Sequence, residues 1–542
     1  MQKKFLVLIA ALVLVALLAP AALSAQPADN VLRYPITVEP EHLNPFTANT
    51  IAIGTVTRNI FEGLTWYNPQ TGELEPALAE SWTISDDKMT YTFNLRQGVL
   101  FHQVAGVEYA EGEREVTADD ILWNYEIALN ADTNISSQAE GLTNIAGAVE
   151  FTNGEAETVA GIKVVDPYTL EITLTVPDRL FLYGWGNLSV TSQAAYEQLG
   201  EAFNNTPVGT GPFQFVEWLR QDRIVLERNP DYWREGFPKV DGIRFINYGD
   251  ANTALLDFRA GELDFLFAFP TGQRAAIIEE FSDLYHEKPG LHLRYFGFDM
   301  TQGFFFENPL VRKAFNHALN RDLIWNELEE GARFPANLGV LPPSMPASTP
   351  SITYPYDLEI ANQLLTEAGF PPLDPNDWSK GREGFPEIKM QVLSSLQSEL
   401  SIPVWQEDLR KLGITMTIEV EEGATYWNHI EEDDVILFIT GWAAGLLDPS
   451  DVMDFLFYKG IDNTEYDNPE VDALLEAARV EYDEEARTAL YQQAHDLIMA
   501  DAPVVASAYS KVTWLQQPWI ENFNPGGGGT YTAPLWMVEI VR

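Results

Sequence analysis

Two hydrophobic periods interleave along nearly the whole of this chain, and that interleaving most constrains what it can fold into. Residues 90–95 (T-Y-T-F-N-L) and 169–176 (T-L-E-I-T-L-T-V) alternate polar and apolar side chains, as a strand with one buried face does. Elsewhere apolar positions recur at three- and four-residue spacing, which predicts helices over 308–329, 358–368, 470–480 and 484–500. Thr117, followed three residues on by Asp120 and then by Ile121, Leu122 and Tyr125, reads as a capping box with Asp in place of Glu. The Pro-rich 341–355 and Gly-rich 525–529 stretches read as loops, and no helical repeat or low-complexity linker divides the rest. Strands and helices alternating in this way predict an α/β architecture. Size alone predicts about three to four domain-sized units, or fewer and larger lobes.

The first residues address compartment. Lys3 and Lys4 precede an almost unbroken apolar run from Phe5 to Leu18, and small residues after Pro20 end in Ser24 and Ala25. This is the layout of a secretory signal peptide, expected over 1–25. The run is shorter than the ~20 residues that span a bilayer, and no later segment is long and apolar enough, so a soluble exported protein is expected. There is no cysteine, which removes disulfides, thiol nucleophiles, Cys-based metal sites and a Cys-linked lipid anchor together. An exported protein with neither lipid nor span suits the periplasm.

Charge narrows the partners. Thirty-three basic residues against 80 acidic ones leave a net charge of −47, which repels nucleic acid and anionic membranes. The acids are spread along the chain, densest at 421–422 and 431–434, and read as a solvated surface, with a bias toward cationic solutes as the sharper alternative.

Few residues fall in patterns that carry chemistry. There is no G-x-S-x-G elbow, and the glycines at 526–529 lack the Lys-Ser/Thr of a phosphate loop, so they predict a close backbone turn. The seven histidines form no H-E-x-x-H pattern. Asp448, Asp451 and Asp454 are spaced to share one helix face but do not match an EF-hand, so they too read as solvated. No catalytic residue, metal or cofactor is expected. Among 80 acids the sequence fixes no carboxylate pair distance, so an exported glycan or peptide hydrolase stands as the alternative.

A run of motifs in fixed order then carries a resemblance: L-N-P at 43–45, I-F-E-G-L at 60–64, P-A-L-A-E-S-W at 76–82, Y-T-F-N-L-R at 91–96 and T-A-D-D-I at 117–121. P-V-G-T-G-P-F at 207–213, E-R-N-P-D-Y-W at 227–233, A-G-E-L-D at 260–264, N-R-D at 320–322, K-L-G-I at 411–414 and G-W at 441–442 follow. Together they resemble the family 5 extracellular solute-binding proteins, the oligopeptide- and dipeptide-binding components of ABC importers. The resemblance implies a two-lobed periplasmic-binding-protein fold with a hinge and an extra subdomain on the first lobe. It places the first lobe at 26–61, 185–289 and 509–542, the attached subdomain at 62–184, and the second lobe at 290–508. It implies a monomer that closes over a peptide, oligosaccharide or other small solute and hands it to ABC permease subunits. A sensor or chaperone use of the same fold is the competing class.

Most of these motif residues have structural readings. Gly209 and Gly211 are expected to allow tight turning where the chain crosses between lobes, and Trp82 and Trp233 to pack. For the site, peptide-binding members carry an aspartate three residues after the Trp of Gly-Trp, pairing with the peptide's free amine; here that position is Gly445. Asp448 is expected to compensate if the loop is reshaped; otherwise the solute lacks a free amine there, as an oligosaccharide or capped peptide does. Trp442 is the leading contact candidate, with Asn49, Thr50 and Ile51 as a solute-facing loop and Tyr509 as a further aromatic wall.

Overall fold

The computed structural model describes residues 29–47, 50–130, 142–183, 187–270, 272–301, 307–431, 436–460 and 464–541. The expected signal peptide, the 184/185 lobe edge and Asn49 lie outside them.

Three larger sheets carry the fold. Val31–Ile36 runs parallel to Gly242–Asn247, which continues antiparallel into Arg223–Arg228 and Phe213–Leu219. A second sheet is ordered Ala79–Ile84, Thr90–Leu95, Thr169–Thr173, Ile162–Asp166, all antiparallel. The third, seven-stranded, runs Phe265–Leu266, Val504–Gln516, Tyr285–Phe298, Leu437–Ala443, Ile388–Leu393, Met416–Glu421, with Phe334–Pro335 joined to Val504–Gln516. One core, including Leu32, Phe93, Phe101, Phe213 and Ile243, runs beneath both four-stranded sheets and takes in Trp519 and Trp536 from the C-terminal segment. The seven-stranded sheet is buried on both faces. Tyr295 and Phe438 point into one core, and their neighbours Phe296 and Ile439 into the other, as successive strand residues must.

The two lobes are joined by the long strands Tyr285–Phe298 and Val504–Gln516, of 14 and 13 residues. At about 3.3 Å per residue they reach roughly 45 Å. Their outer ends, where Tyr285 faces Leu515, sit beside a small core of Leu255, Phe258 and Leu263. Their inner ends, where Gly297 faces Val504, lie in the second lobe. The ladder breaks between Pro289 and Leu293, where Ser510 Oγ accepts from His292 N at 3.1 Å. Pro289 has no N–H to donate to the ladder, and a second register shift follows between Arg294 and Tyr295.

Local signals map onto local structure. Thr90–Leu95 alternates half-buried and buried side chains. The helix Ala118–Leu129 opens on the expected box, with Thr117 N donating to Asp120 Oδ2 at 2.8 Å. Helices Leu358–Glu367, Pro469–Val480 and Glu484–Asp501 match their periodic stretches. The single helix expected over 308–329 is divided. Pro309–His317 stops, and Asn320 Oδ1 caps a separate π-turn at Leu323–Leu328, accepting from Leu323 N at 3.1 Å. The buried Arg321 head occupies the break, donating to Ala506 O at 2.6 Å and Tyr354 O at 3.2 Å. Gly209 and Gly211 also differ from expectation: neither has left-handed φ. They are needed because the backbone of Ile60 presses on them; a Cβ on Gly211 would lie 2.7 Å from the Ile60 carbonyl carbon.

Candidate functional site

Leu437–Ala443 runs antiparallel to the first hinge strand, with Trp442 opposite Leu293 and Gly441 opposite Arg294. Beyond it the chain folds back through 444–449 into the helix Ser450–Leu456. One carboxylate holds that turn. Asp451 accepts from Trp442 Nε1 at 3.1 Å and from the backbone N–H groups of Gly445 and Leu446, both at 2.7 Å. Burial raises the Asp451 carboxyl above its ordinary range, against the pull of these three donors. The half-buried Trp442 ring stacks on Phe455, centroids 5.0 Å apart. Gly445 is exposed, and a Cβ there would have only Asp451 Oδ2 within 4 Å, at 3.9 Å.

Asp448 does not compensate for Gly445. Its oxygens take both arms of Arg487 at 2.6 and 2.8 Å, together with Ser450 N and Oγ. Burial alone would raise its carboxyl, but Arg487 and Ser450 bring it below the ordinary value. The three aspartates read as one helix face diverge: Asp448 to Arg487, Asp451 to its own loop, Asp454 to Arg479 Nε at 2.7 Å. Among the described residues no group of three or more His, Asp or Glu is placed to hold a metal.

The 446–449 turn also meets the other lobe. Leu447 N donates to Tyr67 Oη at 2.7 Å, Arg179 stands 3.7 Å from Asp448 and pairs with Glu484, and Tyr91 Oη meets Tyr482 Oη at 3.4 Å. Between them lies a cavity of about 280 Å³, lined by Tyr67, Arg179 and Tyr183 on one side and Leu447, Asp448, Arg487 and Tyr491 on the other. Its size approaches the ~300 Å³ at which small-molecule sites begin.

The remaining candidates separate. Thr50 caps the helix Ile51–Thr57, accepting from Ile53 N at 3.4 Å, and Ile51 is exposed. Tyr509 is not on an open wall: it is buried in one core with Leu293 and Tyr491, and its hydroxyl donates to Gly339 O at 2.8 Å. The glycine run makes the expected turn, Gly526 pairing with Gly529, and it lies against the hinge, with Leu291 N donating to Gly527 O at 2.9 Å. Sequence reasoning passed over Asp451, Arg179 and Arg487 as site residues. Each acts through a partner distant in sequence or across a loop, and no spacing announces it.

The sequence profile of bacterial extracellular solute-binding proteins, family 5 Middle, matches residues 73–464. A Salmonella paratyphi A protein named glutathione-binding protein GsiB is 28% identical over 483 residues, 87% of each chain. The Helicobacter pylori periplasmic binding protein DppA, solved with peptide STSA, is 26% identical with TM-score 0.74, covering 94% of this chain and 98% of its own. HbpA2 from Haemophilus parasuis superimposes with TM-score 0.78 at 24% identity, covering 94% of this chain and 100% of its own. With the profile spanning most of its length, the chain belongs to the bacterial extracellular solute-binding proteins, family 5.

Proposed function

We propose that this protein is exported to the periplasm, captures a small peptide-like solute between its two lobes, and hands it to the permease of an ABC importer without catalysing a reaction on it. The observation that carries this reading is the 280 Å³ cavity whose walls come from both sides of the hinge. A site divided between two lobes is made by closure and unmade by opening, which suits capture and release. The relatives supply the solute class: one is named for glutathione and another was solved holding a peptide, which favours a peptide-like solute over an oligosaccharide.

Trp442, Gly445, Thr50, Ile51 and Asn49 are proposed to meet the solute, with Asp451 and Tyr67 joining them. Asp448 acts indirectly, holding Arg487 at the cavity wall, and Tyr509, at the boundary of the first lobe, acts only by packing into the adjoining core. The lobes are proposed as 26–61, 185–289 and 509–542 for the first, with 62–184 attached, and 290–508 for the second.

A thermal-shift panel of glutathione, di- to tetrapeptides, N-acetylated peptides and neutral oligosaccharides tests the reading. A solute at 100 times its Kd stabilises by about 2.7 kcal/mol. A shift with peptide-like compounds and an unaltered compound recovered afterwards are expected. Shifts confined to sugars, or turnover of a bound compound, would overturn it.

A further inference from the structure

Away from the hinge strands, the segment 62–184 meets the second lobe through Tyr67, Lys88, Tyr91 and Arg179. Arg179 reaches furthest across. It lies in a turn shaped by Asp178, whose Oδ1 accepts from Leu180 N at 2.9 Å, and Tyr91 Oη pins the turn by donating to Asp178 O at 2.7 Å. Arg179 N then donates to Arg479 O at 3.4 Å. That carbonyl belongs to the last turn of the helix Pro469–Val480, where carbonyls lack an intrahelical partner. The Arg179 guanidinium pairs with Glu484, which opens the next helix, and stands 3.7 Å from Asp448. Main chain and side chain of one residue are thus both engaged by the opposite lobe.

Charge gives that residue its weight. Residues 62–184 hold 21 acidic side chains and only five basic ones. Two of the five lie on this contact: Arg179, and Lys88, whose Nζ sits 5.0 Å from the centre of the Tyr482 ring. Asp448 is already held by both arms of Arg487, whereas Arg179 is the only cation paired with Glu484 among the described residues. Without Arg179, the same approach would bring acid against acid. The Arg179 side chain is 11% exposed and that of Glu484 73%, so the arginine is enclosed between the lobes while the glutamate stays at the rim of the cavity that both line.

We propose that Arg179 is an ionic latch, holding the second lobe against the 62–184 segment without help from the solute and so setting how much of the unliganded protein stands closed. A contact made only in the closed state favours that state whatever the cavity contains, and it multiplies the affinity for every solute by the same factor. Its bearing on solute retention rests on the cavity being the solute site; its effect on closure does not. An ion pair with one exposed partner is worth at most about fivefold in such an equilibrium, so the latch biases closure without locking the lobes.

The chain has no cysteine, so Glu157→Cys and Gln493→Cys, exposed on the two sides of the contact, can carry nitroxide labels in the otherwise unaltered protein. Double electron–electron resonance then reads the distance between the lobes. Without solute, the wild type should show a short-distance population, and Arg179→Gln and Glu484→Gln should each lower its ratio to the longer one about three- to fivefold. Glu485→Gln removes a neighbouring acid that makes no cross-lobe pair, and it should leave the ratio unchanged or raise it by easing repulsion. Glu484 is largely exposed, so its variant decides the matter if Arg179→Gln fails to fold. A wild type with no short-distance population, or a ratio unchanged or raised in Glu484→Gln, overturns the latch. Calorimetry with glutathione and trialanine should show both weakened by one common factor in Arg179→Gln; unequal factors would mean that Arg179 touches the solute, and also overturn the latch. If neither compound binds the wild type, the peptide-like reading of the cavity fails, and the resonance ratios still decide the latch.

Discussion

Gly445→Asp restores a carboxylate at the position where peptide-binding members of the family carry one, and the structure fixes what it meets. The residue is exposed and its φ is not left-handed, so the backbone accepts a side chain. The one neighbour within 4 Å of the new Cβ is Asp451 Oδ2, at 3.9 Å. The added carboxylate therefore lies within the roughly 4–6 Å over which like charges shift one another's pKa. At about 5 Å and an effective dielectric near 20, two such charges repel by roughly 3 kcal/mol. Exposure of position 445 weakens this, leaving about 1–2 kcal/mol of destabilisation at pH 7. Burial already raises the Asp451 carboxyl, and a second anion raises it further. A carboxyl whose folded pKa lies above its unfolded value contributes most below the unfolded pKa, about 4, and that contribution is lost as pH rises through the folded value. Urea midpoints of variant and wild type should therefore coincide near pH 4 and separate toward pH 8. A solute ammonium beside the two carboxylates relieves the repulsion, so free-amine trialanine should bind the variant about tenfold or more tightly than wild type by calorimetry. Equal midpoints at both pH values with no gain in trialanine affinity would refute the reasoning.

Arg487→Met should cost about 3 kcal/mol in urea unfolding, because it strands the partly buried Asp448 carboxylate; a loss below about 1 kcal/mol would mean that Arg179, 3.7 Å away, takes over the charge. Gly211→Ala should lower stability by about 2 kcal/mol through its clash with Ile60, and a melting temperature equal to wild type would show that the first lobe yields there. His102 is buried and neutral, Nε2 donating to Gly211 O at 2.9 Å, and burial pushes its pKa down to about 4. Its folded pKa lies below the unfolded one, so stability is present above about pH 6.5 and lost as pH falls toward 4, by up to roughly 3 kcal/mol. His102→Gln should flatten that slope in urea midpoints measured from pH 7 to 4.

What the sequence determined by itself was local or carried by ordered motifs. Period-two alternation placed Thr90–Leu95, three- and four-residue spacing placed Glu484–Asp501, and an acid three residues after Thr117 placed a helix start. Each of these depends on residues within one or two turns, so a reading of neighbours suffices. The motif order carried the two-lobed fold because its distinct motifs run in sequence along most of the chain. The site was only partly legible. The missing side chain at 445 could be read directly, but which nearby aspartate stands free could not. Asp448 is held by Arg487, 39 positions on, and approached by Arg179 from the other lobe, while Asp451 closes on its own loop. Gly209 and Gly211 are glycines because Ile60 presses on them, and the break after His317 exists because Arg321 must reach Ala506. Tyr509 turned out to be core for the same reason. Burial, pairing and close approach are properties of which distant segments come together, and only the tertiary structure decides that.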